Sequence, residues 1–96
     1  MKNNVIIVNT ARGAVTDESA ITEAILKGKI GAFGCDVYSI EPFSADHPFN
    51  KILHLDNVCL TPHMAWGSYE SRSRCVKIMA ENIERYINNN PQNQIV

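Results

Sequence analysis

No stretch of this sequence stays apolar for more than four residues, the longest being Val5-Ile6-Ile7-Val8. A membrane-crossing helix needs about twenty such residues and a signal-peptide core at least about seven. The run is therefore read as a strand, with no membrane in the picture. Charge of one sign is also missing. Nine basic and ten acidic residues are interspersed, for a net charge of −1, which leaves no footprint for nucleic acid or an anionic membrane. Cysteine is sparse: Cys35, Cys59 and Cys75 stand far apart with no C-x-x-C pair. An odd, scattered set beside apolar or small residues points to reduced, mostly buried thiols in a cytoplasmic protein. A catalytic cysteine is the alternative.

What is present suits one small globular domain over residues 1–96. Apolar residues make up 45% and charged residues 20% of the chain, enough for a core and too few charges for a disordered segment. Val5 to Val8 is continuous and β-branched, as in a parallel strand buried on both faces. Asn9-Thr10-Ala11-Arg12-Gly13 follows as a turn, in which Gly13 can take a positive φ. Asp17 reads as an N-cap and Glu18 suits the first turn of a helix over 17–27. Ala20, Ile21, Ala24 and Ile25 form its apolar face, and Gly28 is a natural residue to end it.

A second strand is expected over 30–37, where the glycines imply close packing by a neighbour. Strand, helix and strand at this spacing make a right-handed βαβ crossover. Residues 38–57 hold Pro42 and Pro48 and little periodicity, with one helical turn expected near 49–53. Long irregular segments inside small domains are often functional. A third strand covers 58–61, where Pro62 stops the ladder. Ser68 caps a last helix over 69–88. Its stripe of Cys75, Val76, Met79, Ala80, Ile83, Tyr86 and Ile87 reads as core or interface rather than a cofactor box.

Three chemically capable side chains then occupy equivalent places. Arg12 follows the first strand, Asp36 lies at the end of the second, and His63 follows the third. Ligands of parallel α/β sheets bind outside the carboxyl ends of the strands. Glu41, in the long loop, can reach the same rim. Taken singly each has a plainer reading: a solvated turn arginine, an aspartate satisfying loop amides, an exposed loop glutamate, a histidine bonded to its own backbone. Together they describe a site that holds a small carboxylate and moves a proton. A guanidinium fork suits a carboxylate, and a carboxylate beside an imidazole favours its protonated form.

Asn9-Thr10-Ala11-Arg12-Gly13, Cys35-Asp36-Val37 with Glu41-Pro42, and Thr61-Pro62-His63-Met64-Ala65 resemble the D-isomer-specific 2-hydroxyacid dehydrogenases in order and spacing. Within that family, His63-Met64-Ala65-Trp66 and Pro91-Gln92-Asn93 resemble glycerate dehydrogenases, also called hydroxypyruvate reductases. The resemblance implies an α/β fold: the C-terminal part of a Rossmann-like nucleotide-binding domain, with three parallel strands, a crossover helix and a long C-terminal helix. It implies NAD or NADP as cofactor and a small 2-oxo or 2-hydroxy acid as substrate. Arg12 would hold the substrate, His63 would exchange the proton, and Glu41 would orient His63. Asp36 would sit by the nicotinamide, Thr10, Ala11 and Ala65 would line the cofactor together with Arg12 and His63, and Trp66 would contact substrate beside Arg12 and His63.

The departure from the family is large. No G-x-G-x-x-G occurs; Gly28, Gly31 and Gly34 have the wrong spacing, so no turn is built for a pyrophosphate. The expected consequences are an open strand edge, an uncovered helix stripe, negligible turnover alone, and self-association into a homo-oligomer or pairing with an N-terminal half. An assembly module or an inactive remnant are the alternatives. The choice between NAD and NADP, and the individual acid, are not written in these residues.

Overall fold

The computed structural model describes residues 1–95, in two compact units, Met1–Ala65 and a second that begins at Trp66. In the first unit β1 (Val5–Asn9), β2 (Ile30–Cys35) and β3 (Val58–Leu60) form a parallel sheet in that order. The crossover from β1 to β2 runs through α1 (Glu18–Leu26). This is the α/β arrangement that the strand, helix and strand pattern implies.

Local chemistry sets the ends of α1. The Asp17 carboxylate accepts from the Ala20 amide at 2.9 Å, as an N-cap should. At the other end Gly28 takes φ +64°, which lets the Gly28 and Lys29 amides close onto the carbonyls of Ile25 and Ala24. The buried face is Ile21, Thr22 and Ile25, whereas Ala20 is exposed. Thr22 fits inside because its hydroxyl donates to the Glu18 carbonyl one turn back, at 2.8 Å.

The core joins Ile21 and Ile25 of α1 to Ile30, Phe33 and Cys35 of β2 and to Phe49 and Ile52. Phe49 belongs to a 3-10 turn, Pro48–Lys51, at the place where a helical turn is expected. Its ring meets Phe33 edge-on, with centroids 5.3 Å apart. The long connection between β2 and β3 thus supplies core as well as loop. Each of Phe49 and Ile52 is 0% exposed, so Phe49→Ala would cost about 3–5 kcal/mol.

Burial of the sheet differs from expectation. Val5 and Ile7 pack on the core, but Ile6 and Val8 are each 69% exposed. Core packing lies on one face of the sheet, so the β-branched run is half covered, with period two. Cys59, between Val58 and Leu60 of β3, is exposed for the same reason, and Cys75 is exposed on the last helix; only Cys35 is a buried thiol. The second strand ends at Cys35 rather than Val37, although the Asp36 amide still donates to the Asn9 carbonyl at 3.0 Å.

In the second unit α2 (Tyr69–Ile87) starts at a Ser68 cap, whose hydroxyl accepts from the Ser71 amide at 3.1 Å. None of its residues is buried. Val76, Met79, Ile83, Tyr86 and Ile87 are all more than half exposed, so the stripe is not buried within this unit. Among the described residues no helix is long and apolar enough to cross a membrane.

Candidate acid–base site at the carboxyl edge of the sheet

Because the strands are parallel, the residues after β1, β2 and β3 emerge at one edge. Asn9 shapes the first of these turns. Its side-chain oxygen accepts from the Ala11 amide at 3.1 Å, and its amide nitrogen donates to the Arg12 carbonyl at 2.9 Å. An asparagine bonding its own backbone two residues on is a common way to close such a turn. Arg12 follows in extended conformation, with its guanidinium donating to the Ala11 carbonyl at 2.6 Å. Thr10 and Ala11 are exposed beside it.

Gly13 comes next, and its role differs from the expected positive φ. A Cβ there would stand 2.1 Å from the Tyr38 carbonyl carbon and 2.2 Å from the Ser39 nitrogen. Glycine is needed so that the turn after β1 can lie against the backbone after β2.

Asp36 is buried and its carboxylate organises the loop after β3. One oxygen accepts from the Thr61 hydroxyl at 2.5 Å and the Met64 amide at 2.8 Å. The other accepts from the Ala65 amide, also at 2.8 Å. These bonds, the Thr61 hydroxyl first, hold its carboxyl below the usual carboxylate range. His63 sits in the middle of this loop with φ 53°, a left-handed backbone that costs an L-residue roughly 1–2 kcal/mol. Asp36 grips the amides on its far side and so helps to offset that cost.

The His63 ring meets Glu41 from the long loop, with Nδ1 2.6 Å from Oε2. The other Glu41 oxygen accepts from the Tyr38 amide at 2.9 Å. The His63 contact above all, and then the Tyr38 amide, lower the Glu41 carboxyl below its ordinary value, so it is a carboxylate at neutral pH. Both side chains keep partial access to solvent, at 43% and 35%. They border a cavity of about 430 Å³ whose remaining wall is mostly apolar, with Tyr38, Phe43, Leu53 and Leu60. Arg12 is not part of that wall.

The structure therefore joins His63 to Glu41, and Asp36 to the His63 loop, while Arg12 stands at the same edge in its own turn. Ala65 offers its amide to Asp36. Trp66 begins the second unit and is 62% exposed. A second imidazole–carboxylate pair was not legible from the sequence: His47 Nε2 lies 3.0 Å from Glu18 Oε2, both largely buried. Here Nδ1 accepts from the Phe49 amide, which places the proton on Nε2. Among the described residues no group of three or more His, Cys, Asp or Glu is placed to hold a metal ion.

The sequence model described as D-isomer specific 2-hydroxyacid dehydrogenase, NAD binding domain, matches residues 1–65. The chain belongs to this family. It is 38% identical to a hydroxypyruvate reductase of Blautia hydrogenotrophica over 95 residues, covering 99% of this chain and 29% of the relative. A glycerate dehydrogenase of Methylorubrum extorquens is 37% identical, with 99% of this chain and 30% of the relative covered. Among solved structures, an acyclic imino acid reductase, Bsp5, in complex with NADPH and D-Arg superposes with TM-score 0.80 at 36% identity, over 100% of this chain and 29% of that one. The 96 residues thus span about three tenths of the length of these proteins.

Proposed function

We propose that these residues form the proton-transfer half of a site that reduces a small 2-oxo acid to the D-2-hydroxy acid with NAD(P)H. The observation that carries this reading is the 2.6 Å contact between His63 and Glu41 at the carboxyl edge of a parallel sheet. With Nδ1 committed to Glu41, proton exchange falls to Nε2. In this reading His63 gives that proton to the substrate's carbonyl oxygen and takes it back in the oxidative direction. Glu41, held ionised by its two hydrogen bonds, fixes the ring's orientation through Nδ1. Arg12 swings from the Ala11 carbonyl to bind the substrate carboxylate, for which its planar fork is suited. Hydroxypyruvate and glyoxylate are the substrates to try first, since relatives carry those names.

The residues present fit the nicotinamide end of a dinucleotide and not its pyrophosphate. The exposed Thr10 and Ala11, the Asp36 carboxylate and Ala65, whose amide Asp36 holds, can border a flat ring at the sheet's edge. Asp36 spends three hydrogen bonds on the loop, and an ionised carboxylate can accept about four, which leaves room for one from a carboxamide. When bound, NADH or NADPH supplies the hydride. Because the 96 residues contain no G-x-G-x-x-G turn, turnover by the chain alone is expected to be negligible.

The test replaces the matching segment of the Blautia hydroxypyruvate reductase with this chain. Oxidation of NADH or NADPH by hydroxypyruvate or glyoxylate, giving the D-product, is expected. A folded chimera that turns over neither acid contradicts the reading.

A second reading is favoured by the exposed apolar surface. Ile6 and Val8 on the sheet, and Val76, Ile83 and Ile87 on α2, are each more than half exposed. Such surface suits assembly with a second copy or with a polypeptide supplying the glycine-rich turn. Sedimentation should show a dimer or larger species at tens of micromolar, and a clean monomer contradicts it.

A further inference from the structure

The turn bearing Arg12, the loop bearing Glu41 and the loop bearing His63 come from three separate stretches of chain, and one residue touches all three. Its main chain lies against Gly13, the neighbour of Arg12, at a distance that no Cβ could fit. Its amide donates to Glu41 at 2.9 Å. Its side-chain hydroxyl donates to the Thr61 carbonyl at 2.8 Å, the same oxygen that accepts the His63 amide at 3.1 Å. That residue is Tyr38. We propose that Tyr38 is a positioning residue, which holds the Arg12 turn, Glu41 and His63 in one register; this rests on the proton-transfer reading for its purpose.

The geometry gives each contact a different consequence. The peptide contact with Gly13 sets how close Arg12 comes to the rest. The amide bond turns the Glu41 carboxylate so that its second oxygen meets the imidazole. The hydroxyl bond fixes the carbonyl just before the left-handed turn at His63. The ring is itself braced edge-on by Phe43, with centroids 4.8 Å apart. Burial pushes the Tyr38 phenol up to about 12, so the hydroxyl remains a donor through the neutral range. Glu18 steadies the same stretch from α1 by accepting the Ser39 amide at 2.8 Å and holding His47 at 3.0 Å.

Tyr38→Phe removes one oxygen and keeps the ring, the peptide and the amide bond to Glu41. The readout is solvent exchange of the proton between His63 Nδ1 and Glu41, followed by imidazole nitrogen NMR on the 96-residue protein. Exchange should quicken roughly fivefold in Tyr38→Phe, the effect of one lost hydrogen bond. Ile30→Val is the control, since it trims the core at the amino end of β2, away from the carboxyl edge that carries Tyr38, Glu41 and His63. It should lower the thermal midpoint and leave the His63 exchange rate unchanged. An unchanged rate in Tyr38→Phe, or equal acceleration by both variants, overturns the proposal. In the unsubstituted protein the Tyr38 hydroxyl proton should be visible and slow to exchange, and its rapid exchange with solvent overturns the proposal without any variant. None of these readouts is turnover, so a negative result here leaves the proton-transfer reading to stand or fall in its own assay.

Discussion

Gly13 and Tyr38 meet backbone to backbone: a Cβ on the glycine would lie 2.1 Å from the tyrosine's carbonyl carbon and 2.4 Å from its carbonyl oxygen. The atoms in the way are main chain, which cannot rotate aside as a side-chain tip can. Gly13→Ala should therefore destabilise the protein by about 1–3 kcal/mol, read as a lower urea midpoint. Gly34→Ala is the comparison, because its new methyl would meet the Val8 side chain at an ordinary 3.6 Å. Equal midpoints for the two variants would contradict this account of the turn.

Acid should loosen the histidine loop. Asp36 and Glu41 both have carboxyl groups lowered by hydrogen bonds made in the fold, from ordinary values of 3.8 and 4.5. A lowered folded value means stabilisation that is present above the ordinary value and lost as pH falls through the folded one. The urea midpoint should hold steady down to that range and then fall. Asp36→Asn, which can no longer accept on both sides, should lower the midpoint at neutral pH and flatten the acid fall. An Asp36→Asn protein as stable as the parent at neutral pH would show that the loop does not depend on this carboxylate.

Alkali should act through Tyr38. Its phenol is raised from 10.0 to about 12 by burial, so the fold favours the neutral form. The stabilisation is complete below 10 and disappears as pH climbs through about 12. Tyr38→Phe cannot ionise there and should lack that part of the alkaline loss. Identical alkaline unfolding curves for parent and variant would contradict the burial of this hydroxyl.

Local chemistry was legible in the sequence, and tertiary partnership was legible at one pair, Glu41 and His63, which the motif resemblance brought together. Asp17, Gly28 and Ser68 announce helix ends because caps act within a few residues, and the structure uses all three so. The β-branched run of β1 shows that the segment can be a strand but not how many of its faces are covered; Ile6 and Val8 lie open because packing reaches one side. Arg12, Asp36 and His63 reach one edge because parallel strands end together, a matter of topology that a pattern can carry. Asp36 chiefly holds loop amides, the plainer of its two sequence readings, in a set of bonds that also shapes the His63 turn. The Tyr38 hydroxyl reaches a carbonyl 23 positions away, and Glu18 and His47 are 29 apart. Nothing in the local residue pattern signals such contacts.

The central claim is that the imidazole held by Glu41 moves the proton. Its direct measurement is kcat for hydroxypyruvate reduction in the chimera carrying this chain, compared with the same chimera bearing His63→Asn. Loss of one general acid–base group predicts a fall of roughly a hundred- to ten-thousandfold in kcat. A His63→Asn chimera that turns over within a fewfold of its parent would contradict the account.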